Sequence, residues 1–140
     1  MRKSVATIVL GMAVAVITMA SSPVLQAHHA FAAEFDARKE VTLKGAVTRV
    51  EWVNPHVWIH VDVKKPDGKV ESWAIEAGTP NVLFRRGVTK QSLKSGTEVV
   101  INGYQAKDGT HRANGREVKL ADGSKLFLGG SGTGAPYEIK

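Results

Sequence analysis

The sequence predicts an all-β domain preceded by a cleavable signal peptide. Three observations lead there. An uncharged apolar run comes after a basic start, β-branched stretches separated by Gly, Pro, Asn and Asp fill most of the chain beyond that run, and one short helix signal interrupts those stretches.

The leader has its three regions in order. Arg2 and Lys3 supply positive charge, Val5 to Ala20 is apolar, and Ser21 to Ala27 is small and contains Pro23. The apolar run of 16 residues falls short of the roughly 20 that span a bilayer. No basic flank comes after it, so no membrane span is expected after cleavage. Cleavage after Ala27 leaves His28 as the first mature residue, whereas cuts after Ala20 or Ala32 are the alternatives. The expected location is the periplasm or the exterior of the cell.

Removing 1–27 leaves 113 residues, enough for one core. The mature part keeps 17 basic and 13 acidic residues, a mild excess of +4 without a dense Lys/Arg run. Nucleic acid is not an expected partner there. The chain has no cysteine, which removes disulfides, thiolate metal sites and thiol redox chemistry.

A lead-in segment, 28–40, precedes the domain at 41–128. Val41 to Val53 reads as a long first strand, with Gly45 marking a bulge or bend and Asn54-Pro55 ending it. His56 to Lys64 alternates, with Val57, Ile59, Val61 and Val63 on one face and His56, Trp58, His60 and Asp62 on the other. Pro66-Asp67-Gly68 turns the chain into a third strand, Val70 to Ala77. Thr79-Pro80 is a helix start, with the N-cap followed by proline, and Gly87 closes that helix. Thr97 to Ala106 and Arg112 to Leu120 are the fourth and fifth strands around Lys107-Asp108-Gly109. The Gly-rich stretch 129–140 is expected to be a flexible tail. Three strands, a short helix and two strands make the order of an OB-like, five-stranded Greek-key barrel.

Several segments together resemble a family of small exported bacterial proteins catalogued as a domain of unknown function. They are His28-His29-Ala30-Phe31-Ala32-Ala33-Glu34-Phe35-Asp36, Val50-Glu51-Trp52-Val53-Asn54-Pro55-His56-Val57-Trp58, Arg85-Arg86-Gly87, Gly103-Tyr104-Gln105-Ala106-Lys107-Asp108-Gly109 and Arg112-Ala113-Asn114. The resemblance implies a secreted or periplasmic location and retention of His28 and His29. It implies no established activity.

Five histidines without a cysteine raise the question of a metal. A mature N-terminal His28 offers its α-amine and ring nitrogen to one cation, and nitrogen donors of this kind suit Cu(II) ahead of Zn(II) or Ni(II). A second imidazole completes a T-shaped, three-nitrogen site. The candidate ligands are His28, His29 and His56, and His56 is the better third donor because His29 is tied too closely to its own amide. His56 and His60 lie roughly 13 Å apart on one strand face, too far to share an ion.

The competing site is the Trp58 face, with Asn54, Arg85 and Arg86, taking an envelope glycan, peptide or anionic small molecule. Trp52 and Trp73 read as core. Ser72, Ser92 and Ser95 sit in no nucleophile motif, and no paired-carboxylate spacing stands out. The expectation is therefore a non-enzymatic exported binding domain, with copper as the leading ligand.

Overall fold

Alternation decides which face of each strand is covered. Val57, Ile59 and Val61 are buried on one side of the second strand, while Trp58 and His60 remain half-exposed on the other. The computed structural model describes residues 31–130 and 135–138, so the expected leader with its expected cleavage site, and His28 and His29, lie outside the described residues.

The domain is all-β. Its strands are β1 (Phe35–Glu51), β2 (Trp58–Lys64), β3 (Val70–Glu76), β4 (Glu98–Ala106), β5 (Arg112–Leu120) and β6 (Lys125–Phe127), with α1 (Pro80–Arg85) between β3 and β4. They form one sheet in the order β3-β2-β1-β4-β5-β6, with a further parallel pairing of β3 and β5 through Ala74–Arg112, Ile75–Ala113 and Glu76–Asn114. Among the described residues there are thus six strands rather than five. The extra one, β6, pairs with β5 through Glu117–Phe127, Val118–Leu126 and Lys119–Lys125.

Strand β1 starts at Phe35, well before Val41, so half of the expected lead-in segment is strand. Phe35 pairs with Ala106 and Glu40 with Tyr104, so the edge of β4 recruits a charged stretch with little intrinsic β preference. Residues 40–46 of β1 pair with β4 and 46–51 pair with β2. Gly45 sits at this exchange, where a Cβ would lie 2.2 Å from the Asp62 carbonyl oxygen. Its lack of a side chain allows the close approach.

Leu43, Val47, Ile59, Val61, Trp73, Ile75, Ile101, Ala113 and Val118 make the main core, and Leu83 and Val88 bring α1 onto it. Thr79 caps that helix, its hydroxyl accepting from Val82 N–H at 3.3 Å, with Pro80 in the first turn. Trp52 packs against the core edge.

A second apolar cluster joins Phe31, Phe35, Tyr104, Ala106 and Ala135, with Tyr137 against it. Within the stretch expected to be a flexible tail, Gly129, Gly130 and residues 135–137 are wholly or partly buried. Both glycines and Ala135 are buried, and the Tyr137 ring lies 5.6 Å edge-on from Phe127. Aromatic neighbours, which composition alone overlooks, hold this stretch.

Candidate functional site

The loop from β1 to β2 places His56. Val57 N–H donates to Gly78 O at 3.1 Å and Ala77 N–H donates to Val57 O at 2.8 Å, zipping the residue after His56 to the end of β3. His56 therefore meets Glu76, the last residue of β3, with Nδ1 2.7 Å from Oε1.

Glu76 is 8% exposed, although it is a carboxylate. Burial of an unpaired carboxylate is costly, and His56 supplies the partner. The hydrogen bond to Glu76 pushes His56 above the usual imidazole range; burial opposes the shift, and the charges of Glu76 and Glu34 reinforce it. When the ring is neutral with its proton on Nδ1 toward Glu76, the Nε2 lone pair is available to a ligand. Histidines that ligate metals are commonly oriented in this way, by a carboxylate on the other nitrogen.

The surrounding residues come from four places in the chain. Glu34, on the helical residues 31–34 that lead into β1, holds Arg112 of β5 at 2.8 Å. The Arg112 guanidinium lies 5.5 Å from the Trp58 ring centroid. Asn114, 4% exposed, accepts from the Tyr137 hydroxyl at 2.9 Å. Sequence patterning singles out none of Glu34, Glu76, Arg112 and Tyr137 as a site residue. Strand alternation is the signal that could have found Glu76, since it places that residue opposite Trp58. Glu34 and Arg112 meet because the start of β1 pairs with the end of β4, next to the start of β5.

The other described histidines lie beside carboxylates of their own. His60 Nε2 is 2.9 Å from Glu51 Oε1, and the same carboxylate is held by Arg49, which is the main cause of its lowered pKa. His111 stacks on Trp73 with ring centroids 4.8 Å apart and approaches Glu71 at 3.9 Å. Among the described residues no group of three or more His, Cys, Asp or Glu forms a metal site. A metal at His56 needs donors from elsewhere in the chain.

The competing set is only partly assembled. Trp58 shares the His56 cluster, with Arg112 against its ring. Asn54 is exposed at the corner, joined to Pro55 by a cis peptide. Arg86 is the C-cap of α1; its guanidinium donates to Gly129 O and lies 4.5 Å over Phe127. Arg85 is exposed in the last turn. Among the described residues, no ion pair or hydrogen bond ties either arginine to His56 or Trp58.

No helix among the described residues is long and apolar enough to cross a membrane. No curated protein and no solved structure matches the chain. A family model does match residues 14–115. The chain belongs to that family, DUF6152, a family of unknown function.

Proposed function

We propose that the protein is an exported, OB-like binding domain that takes a transition metal, copper foremost, through the mature N-terminal His28 and the imidazole of His56. The barrel reading is supported by the pairings β1–β2, β2–β3, β3–β5, β5–β4 and β4–β1, which return to their starting strand, with β6 as an appendage. Export rests on the leader 1–27, and a cut after Ala27 gives His28 a free amine.

The observation that carries the metal reading is the His56–Glu76 contact at 2.7 Å. It orients one imidazole at a corner that the N-terminal segment also approaches, since Glu34 is close enough to shift His56. Glu34 is six positions after His28, a reach of at most about 20 Å. His28 would supply amine and ring nitrogens, His56 the third nitrogen, and His29 an auxiliary donor. Bound there, the metal is held by neutral nitrogen donors beside the carboxylates of Glu34 and Glu76, which favour its charge.

The Trp58 surface is the weaker reading, because Arg112, already paired with Glu34, lies against the ring. Copper titration of His56→Gln and Trp58→Ala separates the two. The metal reading expects His56→Gln to lose tight binding and Trp58→Ala to retain it. Unchanged copper affinity in His56→Gln would contradict the metal reading.

A further inference from the structure

We infer a second binding site, on the outer face of the sheet away from the His56 corner, for a small organic anion with an apolar body. A cavity of about 570 Å³ opens where β1 exchanges partners, and Lys44, Lys64, Lys119, Ala46 and Val100 are among its lining residues.

Strand register fixes the arrangement. Lys44 pairs with Val100, and Val100 pairs with Lys119, so the three stand in one cross-strand row. The inward positions beside them are Gly45, Val99 and Leu120, with Val99 buried and Leu120 packed against the core. Alternation then turns Lys44, Val100 and Lys119 outward. Strands lie about 4.8 Å apart, so the two lysine backbones are roughly 10 Å from each other with Val100 between them. Two flexible ammonium stems at that separation can converge on a single anionic group above an apolar floor. Lys64 arrives from β2, beyond the last β1–β2 pair at Ala46–Asp62.

Charge supports the same occupant. Among the described residues, Lys44, Lys64 and Lys119 have no carboxylate partner, although Asp62 and Glu98 line the same cavity. Asp62, which accepts from the Ser72 hydroxyl at 2.7 Å, and Glu98 are the cross-strand partners of Ala46, so the acidic end of the cavity lies around Ala46 and the basic end around Val100. Lys44 and Lys119 on either side of Val100, with Lys64 beyond Lys44, fit a carboxylate or phosphate whose carbon skeleton covers Val100.

Benzoate and phenyl phosphate are suitable probes, with benzyl alcohol as the neutral control. They are titrated into the ¹⁵N-labelled protein in its host-processed form while the amides of Lys44, Val100 and Lys119 are followed. The expected result is saturable shifts at those amides with one or both anions, weakened by added salt, and none with benzyl alcohol. Lys44→Ala with Lys119→Ala should weaken binding at least ten-fold; both side chains are exposed, and circular dichroism checks that the fold persists. A response to one anion alone assigns the site to that chemistry. No saturable shift with either anion, equal binding of benzyl alcohol, or unchanged affinity in the double variant would overturn the inference.

Discussion

Nδ1 of His56 lies 2.7 Å from Oε1 of Glu76, and the carboxylate is buried at the end of β3 while the imidazole is partly open to solvent. That contact links the stability of the domain to the chemistry of its corner. The same interaction that orients the ring also favours its proton, so a metal at Nε2 must compete with protonation.

The stability consequence has a definite sign. Glu76 raises the folded-state pKa of His56, so the stabilisation is fully present below the unfolded value of about 6.5 and fades as pH rises through the folded value. Melting temperatures from pH 5.5 to 9 should therefore fall more steeply above about 6.5 in the unmodified protein than in Glu76→Gln. Parallel curves would show that the pair contributes no such linkage.

Gly45 and Gly68 provide a contrast between two uses of glycine. A side chain at Gly45 meets the Asp62 carbonyl, whereas Gly68 has φ of +86° with open space around it. Gly68→Ala should cost about 1–2 kcal/mol from backbone conformation. Gly45→Ala should cost more, because β1 and β2 must separate locally to admit the methyl group. Urea denaturation of both variants checks this order, and a smaller loss at Gly45 would contradict the close approach.

Arg86 is expected to secure the chain after β6 rather than to bind ligand. Losing its bond to Gly129 O and its place over Phe127 should cost about 1 kcal/mol in Arg86→Ala. Proteolysis should then cut more readily near 129–138, with copper affinity unchanged. A large loss of copper affinity with normal proteolysis would instead put Arg86 in the ligand site.

Local chemistry made some of this architecture legible. The alternation from Val57 to Val63 identified the core face of β2, and Thr79-Pro80 with Gly87 bounded α1 closely. Residues 35–40 carry mostly charged side chains, and they become strand because β4 offers them an edge. Three-residue β6 depends on β5 in the same way. At the candidate site, His56 and Trp58 were visible through the Asn-Pro-His-x-Trp pattern. Their setting was not, because Glu76 meets β5 through the parallel β3–β5 pairing and Glu34 reaches Arg112 from the start of β1 beside the end of β4, and no local pattern encodes either. The packing of Tyr137 was hidden for a related reason: a glycine-rich composition says little about one aromatic near its end.

The central claim concerns the free amine of His28, and one comparison tests it most directly. Host-processed protein, with intact mass showing His28 as its first residue, is titrated with Cu(II) beside a variant carrying one glycine between Ala27 and His28. The variant's own intact mass must show that glycine retained at the new N-terminus. The expected result is tight, near one-to-one binding by the native N-terminus and at least a hundred-fold loss in the extended variant. Equal affinities would contradict the account, and the His56–Glu76 corner would then lack its metal partner.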